Sequence, residues 1–117
     1  MTPITLIKPK KVDDALIFDI AQRIKKAVNP LKIVLFGSYA SGSAKADSDI
    51  DILIVANKSG FFKNRIASKA YGALAGVLIP KDIVVCTEKE IEEWRNVPQA
   101  FVTTAIAQGK IIYEKQQ

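Results

Sequence analysis

The sequence predicts a mixed α and β fold (α+β) in which a small mixed β-sheet is flanked by helices. Segments with helical hydrophobic spacing and short β-branched runs follow one another in the order helix, strand, strand, helix, strand, helix, helix, strand. The chain has 117 residues, 49% of them hydrophobic, which suffices for one core and is short for two. We therefore expect one domain over residues 12–117, after an N-terminal lead-in at residues 1–11.

The first half of the chain predicts one helix and two strands. Apolar residues recur every three or four positions from Val12 to Val28, with acidic residues in the first turn and lysines in the last, as the helix dipole favours. Asn29-Pro30 ends this helix. A β-branched strand follows at Lys32–Phe36 and ends in a tight turn at Gly37-Ser38. After a polar loop, a second strand is expected at Asp49–Val55.

The second half predicts three helices and two strands. A helix is expected from Phe61 to about Gly76. The third strand is placed at Asp82–Cys86, because the proline shortly before it is tolerated only at the start or edge of a strand. Residues Thr87–Glu90 fit a capping box that begins the next helix. A helix from Pro98 to Gly109 and a short strand at Ile111–Tyr113 complete the pattern.

The composition excludes several kinds of site. The absence of histidine rules out Ser-His-Asp triads, histidine general bases and histidine-ligated zinc. The single cysteine, Cys86, is expected to be a small buried hydrophobic residue. No apolar run is long enough to span a bilayer and the N-terminus lacks the features of a signal peptide, so the expected location is cytoplasmic. The net charge of +5 suits an anionic partner, although an ordinary solubility charge explains it equally well.

Three aspartates are the candidate catalytic and metal-binding residues. Asp49 and Asp51 are two positions apart in a predicted strand, so their carboxylates point to the same face and repel each other. Asp82 begins a neighbouring predicted strand and could supply a third carboxylate. Carboxylate oxygens are the ligands that Mg²⁺ prefers, and such a set suits two-metal phosphoryl or nucleotidyl transfer. The alternative to a metal site is a structural role, because an isolated Asp-x-Asp is often part of a turn or a helix cap.

The dipeptide Gly37-Ser38 is the candidate nucleotide-binding element. Glycine allows a sharp turn and a close approach of the backbone to phosphate, while the following hydroxyl and N–H groups can hold a triphosphate tail. A P-loop is the competing interpretation of this segment. It fails, because Ser43 stands where the essential lysine of a P-loop belongs.

These residues together resemble a known signature. Gly37-Ser38, ten intervening residues and Asp49-Ile50-Asp51 resemble the GSx10DxD pattern of the DNA polymerase beta-like nucleotidyltransferase superfamily. The stretches GSYASGSAKADSDIDILIV and KDIVVCTEKE are similar to those of its minimal (MNT-type) nucleotidyltransferases. The resemblance covers roughly residues 12–115 and implies the nucleotidyltransferase fold.

The resemblance implies a chemistry and a role for each candidate residue. Asp49 and Asp51 would bind two Mg²⁺ ions, and Asp82 would join one of them and help to deprotonate the acceptor hydroxyl. Gly37 and Ser38 would hold the triphosphate of ATP. The acceptor oxygen would attack the α-phosphorus, so that AMP is transferred and pyrophosphate is released.

The resemblance also implies a partner. MNT-type proteins are often the antitoxin of a toxin–antitoxin pair with a helical HEPN-domain toxin, and some transfer AMP to a tyrosine of that toxin. Many relatives carry arginine where this chain has Ser41, and Lys45 in the same loop is the candidate substitute. Because the chain leaves no room for the helical domain that completes the acceptor pocket of larger relatives, we expect a homo-oligomer, a HEPN partner or the substrate itself to complete it.

Two other functions remain open from the sequence. The chain could neutralise a partner by covering its surface without catalysis, through Phe61, Phe62, Trp94 and Phe101, although each of these is expected rather in the core. It could also transfer a nucleotide to RNA or to a small molecule, which the net charge permits. No aromatic RNA-binding motif is visible, and the basic residues are scattered.

Overall fold

The computed structural model describes residues 12–45, 47–57 and 62–116, and within them four strands form one sheet. The predicted lead-in at residues 1–11 lies outside the described residues. The elements follow in the order α1 (Asp14–Val28), β1 (Lys32–Phe36), α2 (Ser38–Ser41), β2 (Ile50–Ala56), α3 (Lys63–Ala73), β3 (Lys81–Thr87), α4 (Glu88–Trp94), α5 (Phe101–Gln108) and β4 (Lys110–Glu114).

The sheet is mixed, as the sequence predicts. Its strand order is β3-β2-β1-β4, with β2 and β3 parallel and the other two pairs antiparallel. Strands β3 and β2 are joined by the hydrogen bond from Ile50 N–H to the Pro80 carbonyl, 2.9 Å, just before they begin to run side by side. The first residues of β2 and β3 and the last residue of β1 therefore lie side by side at one end of the strands.

Each face of the sheet carries its own apolar cluster. Ile33, Ile52 and Ile54 belong to the cluster that includes buried residues of α1 and α3. Val34, Leu53 and Val55 belong to the other cluster, with Cys86 and with Ala105 of α5. Strand β2 is buried on both faces, because alternate side chains enter the two clusters. This explains why its sequence is an almost continuous apolar run.

Local signals in the sequence set several helix ends. The Asp13 carboxylate accepts a hydrogen bond from Leu16 N–H at the start of α1, and Asn29 adopts the left-handed conformation (φ 47°) that ends it. At the start of α4, Thr87 Oγ1 accepts from Glu90 N–H, and the Glu90 carboxylate accepts from Thr87 N–H. The predicted capping box is therefore confirmed.

The structure corrects other expectations. The turn after β1 contains a short helix, α2, that the sequence did not predict. Helix α5 begins at Phe101 rather than Pro98, with Thr104 Oγ1 donating to the Pro98 carbonyl. Helix α3 ends at Ala73, three residues before the predicted end.

The aromatic residues named as contact candidates are more exposed than expected. Phe61 lies outside the described residues, and Phe62, Trp94 and Phe101 are 37%, 50% and 51% exposed. The prediction that they lie in the core was therefore wrong: Phe62 is the residue before α3, Trp94 is the last residue of α4 and Phe101 is the first residue of α5. Among the described helices, none has the length and apolarity needed to cross a membrane.

Candidate active site

Asp51 and Asp82 are direct neighbours across the parallel strands β2 and β3. They are partners in the strand register, and Phe36 of β1 is the partner of Asp51 on the other side. Residues in register on adjacent strands point to the same face, and adjacent strands lie about 4.8 Å apart. The two carboxylates therefore lie on the same face of the sheet, the face that α5 packs against. They are at the end of the sheet where β2 and β3 begin.

Electrostatics link Asp49 to this pair. Burial raises the pKa of the Asp51 carboxyl above its ordinary value of 3.8, and the negative charges of Asp82 and Asp49 raise it further. Asp49 itself is exposed and directly precedes β2. The three predicted aspartates are therefore close enough for the charges of Asp49 and Asp82 to act on Asp51. Among the described residues, however, no three acidic or cysteine side chains are close enough together to bind one metal ion as they stand.

Gly37 lies directly against Asp51. It has φ 73° and ψ −153°, a conformation that favours glycine, and a β-carbon at this position would overlap Oδ2 of Asp51. The glycine of the predicted dipeptide is therefore required for two independent reasons. It turns the chain after β1, and it leaves space for the carboxylate.

Helix α2 starts at the half-buried Ser38, immediately after this glycine. The Gly37 carbonyl accepts hydrogen bonds from Ala40 and Ser41 N–H, both 3.1 Å, so that the Gly37-Ser38 bend is locked to the helix. The Ser41 and Ser43 hydroxyl oxygens are 2.8 Å apart and share a hydrogen bond. Lys45 is exposed in the loop that follows.

A small apolar cavity of about 170 Å³ adjoins the site and was not foreseen from the sequence. Phe36 and Phe101 pack edge to face in its wall, with ring centroids 5.3 Å apart. Its lining residues are Phe36, Gly37, Phe101, Thr104, Ala105 and Gln108. Sequence patterns could not indicate it, since it forms between the end of β1 and a helix about 70 positions later. The sequence analysis also missed Tyr71, whose hydroxyl oxygen accepts a hydrogen bond from Ile83 N–H of β3.

The donor chemistry of the site fits a divalent cation. The three aspartates offer only oxygen ligands, which Mg²⁺ prefers, and both burial and the negative charges of Asp82 and Asp49 raise the pKa of Asp51. A bound cation would stabilise the ionised carboxylates. An acidic edge beside a glycine-serine bend is also suited to a metal–nucleotide substrate.

A family profile described as "Polymerase beta, Nucleotidyltransferase" matches residues 19–117, which include every candidate site residue. The chain belongs to this nucleotidyltransferase family. It is also 32% identical, over an alignment of 101 residues, to MJ0604 of Methanocaldococcus jannaschii, provisionally named a protein adenylyltransferase. That alignment covers 77% of this chain and 94% of the relative. The nucleotidyltransferase fold and activity implied by the resemblance are therefore confirmed.

Solved structures share the fold of this nucleotidyltransferase. A toxin–antitoxin structure with AMP-PNP superposes with a TM-score of 0.56 at 24% identity, covering 86% of this chain and 74% of that one. A provisionally named nucleotidyltransferase from Sulfolobus solfataricus gives a TM-score of 0.55 at 19% identity, covering 84% and 77%. A mutant of the MntA-HpeT toxin–antitoxin gives 0.52 at 22% identity, covering 86% and 74%.

Proposed function

We propose that this nucleotidyltransferase transfers AMP from ATP to a hydroxyl group of a partner protein, and that it acts as the antitoxin of a HEPN-domain toxin in the cytoplasm. One observation carries the catalytic part of this proposal. Asp51 and Asp82 are register partners on parallel strands, and Gly37 leaves space for the Asp51 carboxylate beside the bend that begins α2. The acidic centre and the phosphate-binding element are therefore adjacent.

Each proposed role follows from position. Asp49 and Asp51 would hold two Mg²⁺ ions, with Asp82 joining one of them, and the ions would neutralise charge on the triphosphate. The Gly37 backbone and the Ser38 hydroxyl hold the triphosphate tail. Asp82 is exposed, so its carboxylate can accept the proton of an acceptor that approaches from outside.

The bonds made and broken define the reaction. The acceptor oxygen forms a bond to the α-phosphorus of ATP, and the bond from that phosphorus to the oxygen bridging to the β-phosphorus breaks. AMP stays on the acceptor, pyrophosphate leaves, and the hydroxyl proton passes to Asp82. The named adenylyltransferase relative supports AMP as the group transferred, and the toxin–antitoxin neighbours support a toxin as partner.

Labelled ATP tests the proposal. The chain is incubated with Mg²⁺, the protein encoded by the neighbouring gene and ATP labelled on either the α- or the γ-phosphate. We expect label on the partner from α-labelled ATP only, and a loss of at least about 100-fold in Asp49→Ala/Asp51→Ala. Asp47→Ala, an exposed aspartate in the same loop, serves as the matched control and should behave as wild type. Equal labelling by the double variant would refute the catalytic role.

A non-catalytic antitoxin is the second candidate. The exposed side chains of Trp94 and Phe101 favour it, because they offer apolar surface to a partner protein. Inhibition of the toxin by Asp49→Ala/Asp51→Ala decides between the two. If the double variant still neutralises the toxin at equal concentration, binding alone suffices.

A further inference from the structure

Tyr71, near the end of α3, makes a hydrogen bond to the strand that carries Asp82. Its hydroxyl oxygen accepts from the backbone N–H of Ile83, and the two atoms are 3.0 Å apart. Strand β3 is an edge of the described sheet and pairs only with β2 there, so this N–H points away from its strand partner. The Tyr71 side chain thus takes the place that a further strand would occupy.

The group that Tyr71 holds is the peptide unit joining Asp82 to Ile83. This unit is planar, so fixing its N–H fixes the backbone rotation that follows the Asp82 α-carbon. That rotation determines the direction in which the Asp82 side chain leaves the strand. The Ile83 side chain is buried on the opposite face, 6% exposed, whereas Asp82 is exposed on the face of Asp51.

Neighbouring contacts hold the start of the same strand from other directions. The Lys81 ammonium donates to the Val77 carbonyl, 2.9 Å, across the turn that precedes β3. The Pro80 carbonyl accepts from Ile50 N–H, which joins the start of β3 to the start of β2. The first residues of β3 are therefore held on the β2 side by backbone and on the outer side by Tyr71.

We propose that Tyr71 is a positioning residue for Asp82: its hydroxyl orients the Asp82–Ile83 peptide so that the Asp82 carboxylate faces the acceptor and the Asp51 carboxylate. This inference rests on the proposed function for its effect on turnover. It assigns Tyr71 no contact with nucleotide or acceptor. Residues that orient a ligand of a metal or reaction site typically change activity by about 10–100-fold when removed.

Tyr71→Phe tests the assignment, because it removes the hydroxyl and keeps the ring. We expect kcat for AMP transfer to fall about tenfold while the KM for ATP changes less than about twofold, since Gly37 and Ser38 lie at the other side of the site. In an Asp82→Asn background the same substitution should cause no further loss. Tyr113→Phe, on β4, is the matched control and should leave both constants unchanged.

A measurement without substrate separates this inference from the proposed function. In Tyr71→Phe, hydrogen exchange of the Ile83 amide should accelerate about tenfold and the Cα chemical shift of Asp82 should move, with both unchanged in Tyr113→Phe. If wild type transfers no AMP, the proposed function fails, and these two signals alone decide on the positioning contact. An unchanged Asp82 shift, or an unchanged kcat in an active enzyme, would overturn the assignment.

Discussion

At the scale of single residues, the glycine after β1 constrains the site most strongly. Gly37 combines a positive φ with a carboxylate where its side chain would be, so each L-residue would both strain the backbone and displace Asp51. Gly72, in α3, differs from Gly37 because no other atoms crowd the position that a β-carbon would occupy there.

This contrast gives a paired prediction. Gly37→Ala should lower AMP transfer by about 100-fold or more, because a displacement of about 1 Å at a reacting centre has costs of this order. Gly72→Ala should retain activity and raise the free energy of unfolding by about 0.5–1 kcal/mol. Denaturant unfolding and the labelling assay measure both. Wild-type transfer by Gly37→Ala would contradict the crowding that the structure shows.

Cys86 shows how burial controls the reactivity of a single residue. Its side chain is 1% exposed, as the sequence predicts, and burial raises its pKa to about 11, with the charge of Glu90 adding to the increase and Lys63 opposing it. The thiolate is the reactive form, and at pH 8 only about one thiol in a thousand would be ionised.

We therefore expect Cys86 in the folded protein to react with a disulfide reagent at a rate limited by unfolding. The rate should rise steeply in denaturant and should match that of a free thiol once the chain is unfolded. Prompt labelling of the native protein at pH 8 would show that the thiol is accessible.

At the scale of elements, the start of α4 depends on one carboxylate with two roles. Glu90 accepts the capping hydrogen bond from Thr87 and pairs with Lys63 at the start of α3. Burial acts to raise the pKa of Glu90, but the Lys63 hydrogen bond, the Thr87 backbone and the Lys63 charge outweigh it, so that the pKa lies below its ordinary value of 4.5. The pair thus joins α3 and α4 through two residues that are 27 positions apart in the chain.

The sign of the resulting pH dependence follows from this lowered pKa. The folded state favours ionised Glu90, so its stabilising contribution is full above about pH 4.5 and is lost as the pH falls through the lower, folded-state pKa. Glu90→Gln keeps the cap but not the charge, and should lower the free energy of unfolding by about 0.5–1 kcal/mol at pH 7.

Thermal unfolding across pH 2–7 measures the effect. The difference between Glu90→Gln and wild type should shrink toward zero in strong acid, where Glu90 is protonated. Glu93→Gln, an exposed glutamate of the same helix, is the control and should change stability little at any pH. A pH-independent deficit in Glu90→Gln would point to the cap rather than the ion pair.

At the scale of the whole molecule, one apolar surface lies next to the acidic edge. Phe101 and Gly37 both line the small apolar cavity, and two further apolar side chains are exposed shortly before Phe101 in the chain, Trp94 at the end of α4 and Val97 between α4 and α5. Phe18, on α1, is 65% exposed and lies on the helix that covers the opposite face of the sheet. A partner that presents a hydroxyl to Asp82 would reach the first surface and not the second.

We expect Phe101→Ser to weaken binding of the partner at least tenfold and Phe18→Ser to leave it within twofold, because truncating an anchoring aromatic residue typically costs more than 1 kcal/mol. Calorimetric titration of each variant with the partner measures both, after circular dichroism confirms that they fold. Equal affinities for the two variants would place the partner elsewhere.

The amino-acid sequence suffices to predict the alternation of helices and strands, because hydrophobic spacing and capping residues act within a few positions of each other. It likewise determined the Gly37-Ser38 and Asp49-Ile50-Asp51 pattern, which lies within fifteen consecutive residues. The fold of the whole chain set the features that the spacing of residues in the sequence does not encode. It placed Asp82 beside Asp51 through parallel pairing of β3 with β2, set Tyr71 against Ile83, and left Phe101 exposed beside Gly37. These contacts join positions far apart in the chain, so they depend on strand order and helix packing rather than on any local preference.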